Sequence, residues 1–173
     1  MRDGGGGYGE RVTDKVPKEI EEHFRERERA MTSAAGSSSR GWLAVCVDER
    51  GNLDVYGDRY GLHFLAAFVR SDGGSRRTLR LDEPGSLCAE ASALRHLQVV
   101  PTADAVCIKA RGEALEISGS AELRAILAYT LAFLGESDPD QAIRPHDHIE
   151  YWPEHDYLHS ASKPVCVYLH ERP

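Results

Sequence analysis

The sequence predicts an α+β fold: an internally duplicated ββαββ unit with antiparallel sheet or sheets, one main helix per unit, and an additional N-terminal helix. Three observations predict it. Residues 44–57 and 105–119 carry the same order of signals: an apolar run, a turn containing Arg-Gly, a short alternating strand and a closing glycine. Each stretch is followed by an apolar stripe at helical spacing, and each helix by two more strand-like segments. The chain therefore divides into an arm, residues 1–40, and a single domain, residues 41–173, built from two similar units of about 41–103 and 104–173.

The arm opens on the run Gly4 to Gly7, which has nothing to pack. A short amphipathic helix is expected over residues 15–31. Asp14 stands at the cap, Pro17 in the first turn, and Val16, Ile20, Phe24 and Met31 along one stripe. Glu21, Glu22, Arg25, Glu26, Arg27, Glu28 and Arg29 mix signs as on a solvated helix face. Thr32 to Ser39 reads as a linker.

In the first unit, residues 44–57 form a hairpin through Arg50-Gly51, where glycine accepts the positive φ of a tight turn. Asp58 can cap a helix whose stripe is Leu62, Leu65, Ala66 and Val69. Strands are expected at 78–81 and 97–100. In the second unit the hairpin turns at Arg111-Gly112. Ser120 caps a helix with Leu123, Ile126, Leu127, Thr130, Leu131 and Leu134 on its stripe, ending at Gly135. Strands are expected again at 148–151 and 165–169. One unit alone would bury a single sheet face under one helix, a marginal core, so the two are expected to pair about a pseudo-twofold axis.

Hydrophobic residues make up 41% and charged residues 28% of the 173, enough for a core without a metal or disulfide to hold it. The formal charge of −7 argues against nucleic acid and favours a basic partner. Cys46, Cys88, Cys107 and Cys166 are widely spaced and form no CxxC. Three lie in apolar runs, so free buried thiols are expected rather than a disulfide framework. There is no apolar leader and no run approaching a membrane span, so the expected compartment is the cytoplasm, with no membrane partner. Exposed sheet edges make a homodimer an open option.

Catalytic signatures are missing: the sequence has no GxSxG, and Gly4 to Gly7 neither follows a strand nor opens a clear helix as a phosphate loop would. His146-Asp147-His148 places two imidazoles on one face of an extended segment. A third ligand from His155, His159 or Asp156 would complete a zinc site, which is the alternative reading: a metal-binding protein or metal-dependent hydrolase. The segment richest in character is 151–159. Its Tyr151, Trp152, Glu154, Asp156 and Tyr157 combine rigid rings with acids, as protein-recognition patches do, although Trp152 and Tyr157 could equally fill the core. The amphipathic helix of the arm offers a further docking element for an assembly partner.

The hairpin ending Leu115-Glu116-Ile117-Ser118-Gly119, the helix with Leu123, Leu127 and Leu131, the His146-Asp147-His148 strand entry and the final strand Val165 to Leu169 together resemble the Immunity protein 32 family of bacterial polymorphic toxin systems. The similarity covers residues 106–169, a little over a third of the chain, and the first unit echoes it more weakly. The resemblance implies a cytoplasmic, non-enzymatic protein, without cofactor, that binds a cognate toxin and neutralises it by occlusion. Tyr151, Trp152, Glu154, Asp156 and Tyr157 are the candidate contacts to the toxin's basic surface. The arm and the duplication depart from a minimal single-unit pattern.

Overall fold

In the computed structural model the chain divides into two compact units, Met1–Ala34 and Ala35–Pro173. The structure describes residues 22, 41–71, 74–138, 145–153 and 157–172. The expected arm helix, apart from Glu22, lies outside the described residues. All the elements named below belong to the second unit.

The element order is β1 (Leu43–Val47), β2 (Leu53–Gly57), helix α1 (Arg59–Arg70), β3 (Arg77–Arg80), a 3-10 turn (Gly85–Cys88), β4 (Ser92–Leu94), β5 (His96–Pro101), β6 (Cys107–Arg111), β7 (Ala114–Gly119), helix α2 (Ala121–Gly135), β8 (His146–Ile149) and β9 (Val165–Leu169). Both hairpins turn as the Arg-Gly pairs require, with Gly51 at φ 82° and Gly112 at φ 57°. In the first, the Asp48 carboxylate accepts from the backbone N–H groups of Arg50 and Asn52, at 2.8 Å each. An Asx side chain thereby replaces backbone partners that the turn lacks.

The strands form two sheets, β4-β1-β2-β9-β8 and β3-β5-β7-β6. The hairpins and outer pairs are antiparallel, but β2 lies parallel to β9 and β5 parallel to β7. The sheets are therefore mixed, not antiparallel as expected. The physical reason is the route of the chain. Each half sends its hairpin to one sheet and its last strand to the other, and a strand arriving after a helical crossover can run parallel to its neighbour. Leu53–Gly57 pairs with Val165–Leu169, and Leu115–Gly119 with Leu97–Pro101.

Alternation decides which face of each strand is buried. Leu53, Val55, Val165 and Val167 point inward from the five-stranded sheet, and Leu97, Val99, Leu115, Ile117 and Ile108 from the four-stranded one. Helix α1 packs on α2. Asp58 caps α1 by accepting from Gly61 N–H at 2.7 Å, and its other oxygen accepts from Trp42 N–H at 2.9 Å. A Cβ on Gly61 would collide with the Trp42 carbonyl oxygen, so only glycine permits this approach. Leu62, Leu65, Ala66 and Val69 are buried as expected.

On α2 the buried stripe is rotated from expectation. Leu127, Leu131 and Leu134 are buried, but Arg124, Ala128 and Ala132 join them, while Leu123, Ile126 and Thr130 are only half-buried. Arg124 explains the rotation. It is 1% exposed, and its guanidinium donates to the carbonyls of Gly119 (3.1 Å) and Val69, holding the start of α2 to the end of α1. A cation belongs at a helix C-terminus, where unpaired carbonyls collect.

Two further expectations are corrected. Strand β8 begins at His146, two residues before the expected start, and β4 has no counterpart among the expected strands. Cys46 and Cys88 are not free thiols but form a disulfide, with Cα atoms 5.8 Å apart. It fastens the 3-10 turn to β1, which a separation of 42 residues conceals in the sequence. Cys107 is a free, buried thiol, as expected, and Cys166 is free and half-exposed.

Closing a loop with a sequence separation of 42 residues should contribute about 4 kcal/mol through lost freedom of the unfolded chain. Urea unfolding with and without reductant should therefore differ by roughly that amount. Equal midpoints would show that the bond adds no stability.

Candidate functional site

The second face of the five-stranded sheet is half-exposed or exposed on β2, β9 and β8 but buried on β1, where Ala44 and Cys46 are 0% and 1% exposed and Cys46 is bonded to Cys88 of the 3-10 turn. Register lays its side chains in two rows. One runs Cys46, Asp54, Cys166, His148 across β1, β2, β9 and β8; the other runs Ala44, Tyr56, Tyr168, His146. The second row is a stack. Tyr56 and Tyr168 lie 5.0 Å apart with planes 11° from parallel, and His146 continues it at 5.8 Å and 23° from Tyr168. His148 meets His146 edge-on at 5.2 Å, and His170 meets Tyr56 edge-on at 6.1 Å. Stacked and edge-to-face rings on a sheet are mutually stabilising and rigid.

The first row is electrostatically strained. Burial raises the Asp54 carboxyl above its ordinary value, and the charge of Asp48 adds to this, while His148 opposes it. Burial also raises the Cys166 thiol; its hydrogen bond to Tyr168 opposes this, and Asp54, Asp147 and Glu150 reinforce it. Tyr168 is raised chiefly by the hydrogen bond with Cys166. Cys166 Sγ lies 3.8 Å from His148 Nε2. With its ionisation opposed, Cys166 is a thiol at neutral pH.

His146 and His148 do share a face, as the sequence indicated. Among the described residues, however, no three His, Cys, Asp or Glu side chains are placed to hold a metal ion. His159 Nδ1 accepts from Ala161 N–H at 3.0 Å, while His155 and Asp156 lie outside the described residues.

The aromatic segment after β8 is divided by its backbone. Tyr151 is 40% and Trp152 55% exposed, so neither is a core residue. Tyr157 is half-buried, because its segment is tied to β6. Val106 N–H donates to the Tyr157 carbonyl at 2.8 Å, and His159 N–H donates to the Val106 carbonyl at 2.8 Å. Burial, with the charge of Asp147 added, raises the Tyr157 phenol. Glu154 and Asp156 lie outside the described residues.

Sequence reasoning missed Asp54, Tyr56, Cys166, Tyr168 and His170. The signal was present as period-two alternation in Leu53-Asp54-Val55-Tyr56-Gly57 and Val165-Cys166-Val167-Tyr168-Leu169. Their meeting depends on the parallel contact of β2 with β9, which alternation alone does not specify.

Charge is also unevenly placed. The first forty residues hold eight acids and eight bases, so the net −7 belongs to the domain. Residues 136–171 alone hold eight Asp or Glu against two Lys or Arg, a formal −6. No helix among the described residues is long and apolar enough to cross a membrane. No protein-family model, curated protein or solved structure matches the chain.

A raised Asp54 pKa means that ionisation costs the folded state more than the unfolded one. The penalty is absent below the ordinary value of 3.8 and complete above the folded value. Asp54→Asn should therefore raise the melting temperature at about pH 7, with the gain disappearing near about pH 3. A gain of equal size at both pH values would remove the electrostatic origin.

Proposed function

We propose that this chain is a non-enzymatic protein-binding module that occludes a basic protein partner with the outer face of its five-stranded sheet. The observation that carries the reading is the rigid row of Tyr56, Tyr168 and His146 beside Asp54, whose charge the fold holds at a cost. Rigid rings supply contact area at little entropic cost, and costly charges concentrate where a partner repays them. Tyr151 and Trp152 are also exposed rings, within the segment of formal −6 that contains Glu154 and Asp156. An acidic surface of this kind would steer a cationic partner.

The resemblance to immunity proteins gives that partner its identity in our reading, a cognate toxin with a basic surface. Such a role implies the cytoplasm, where Cys46 and Cys88 would be kept as thiols and the domain would work in its reduced form. We also infer that the two halves descend from one ββαββ unit. The shared order of hairpin, helix and following strands (with the 3-10 turn and β4 added in the first half), the matching parallel registers of β2 with β9 and β7 with β5, and the caps Asp58 and Ser120 directly after Gly57 and Gly119 support this.

The test is co-purification with the toxin encoded beside the gene, followed by titration of variants. Trp152→Ala and Tyr56→Ala should each weaken the complex by about 2 kcal/mol, the scale of an aromatic hot spot. Asp54→Asn should weaken it while stabilising the free protein. Absence of a complex at micromolar concentrations, or full affinity in all three variants, would refute the reading.

A further inference from the structure

The outer face of the four-stranded sheet is rich in cations. Register lays Thr78, Gln98, Glu116 and Lys109 in one row, and Arg80, His96, Ala114 and Arg111 in the next. Glu116 stands at the centre and is only 4% exposed, although it lies on the side of the strand away from Leu115 and Ile117. What covers it is cationic. Arg111 Nε lies 3.2 Å, Arg76 3.7 Å and Lys109 3.9 Å from its carboxylate. The side chains of Arg76 and Arg111 nevertheless remain 57% and 59% exposed, so their outer N–H groups face solvent. The nearby carboxylate of Glu113 is taken up by Arg95 at 3.3 Å.

Four cations, Arg76, Arg80, Lys109 and Arg111, thus share a face with one buried carboxylate. A face that needs only solubility mixes its signs. This one gathers cations in a domain of net −7. Glu116 fixes two of the guanidinium groups from beneath, which lowers the entropy they lose on meeting an anion. We propose that the outer face of the four-stranded sheet binds an acidic polypeptide segment. Nucleic acid fits less well: no Phe, Tyr or Trp stands in either row for base stacking, and the domain's negative charge repels a long polyanion. The proposal stands apart from the toxin-binding reading, which concerns the other sheet.

The experiment is fluorescence anisotropy of a labelled ten-residue Glu-rich peptide with the full chain, run beside a labelled DNA duplex. Affinity should fall at least tenfold between about 50 and 300 mM salt. It should also fall on the order of tenfold in the triple variant R76Q/R111Q/E116Q, as expected for two lost surface ion pairs. Replacing Glu116 along with the arginines avoids stranding a buried charge, and thermal unfolding reports whether the variant folds. Should that variant melt early, Lys109→Gln alone should still weaken binding severalfold. The proposal is overturned by undetectable peptide binding at low salt, by equal affinity of the folded variants, or by tighter binding of the duplex than of the peptide.

Discussion

The domain depends on two parallel contacts, β2 with β9 and β5 with β7. Each joins a hairpin from one half of the chain to the closing strand of the other. Without β9, the five-stranded sheet would lose β8 as well and expose one side of β2; without β5, the four-stranded sheet would lose β3 as well. Neither half can therefore complete a sheet by itself. The long separation of these partners in sequence makes their pairing entropically expensive, and burial of both inner faces must offset that cost. The helices add a second bond between the halves, because Arg124 of α2 satisfies the final carbonyls of α1. That buried cation is tolerable only because several carbonyl oxygens surround it.

Local chemistry was legible wherever it acts over a few residues. Turn glycines, the caps Asp58 and Ser120 and the alternation of β9 all follow from short-range rules, and the structure has each of them in place. Expectations failed where distance in sequence hid proximity in space. Cys46 meets Cys88 because β1 and the 3-10 turn come together, and an apolar run around Cys46 reads the same for a thiol as for half a disulfide. Arg124 is absent from the expected stripe because apolar patterning does not count an arginine whose partners are carbonyls.

The site was half legible for the same reason. His146 and His148 could be placed on one face from their spacing alone, and Tyr151 and Trp152 could be picked out as large rings in an acidic stretch. The neighbour strand is what makes the histidines part of a ring stack. Tyr168 supplies the ring that His146 stacks on, and Tyr56 reaches that stack only through the parallel pairing of β2 with β9.

The parallel pairings also place Asp54 and Glu116 at matching points, each directly after a leucine buried in the parallel register. Their environments have gone opposite ways. Asp54 has Cys46 and Cys166 as cross-strand neighbours and is pushed toward its neutral form. Glu116 is ringed by Arg76, Lys109 and Arg111 and stays paired. A carboxylate at the middle of a sheet must either be neutralised by neighbours or retain a costly charge. The four-stranded sheet adopts the first course, with Arg76, Lys109 and Arg111 around Glu116. In the five-stranded sheet burial and Asp48 push Asp54 toward its neutral form, His148 opposes them, and the stack of Tyr56, Tyr168 and His146 lies in the adjacent row. One position in the sheet architecture thus yields two different electrostatic environments, and the difference lies in the cross-strand neighbours rather than in the carboxylates themselves.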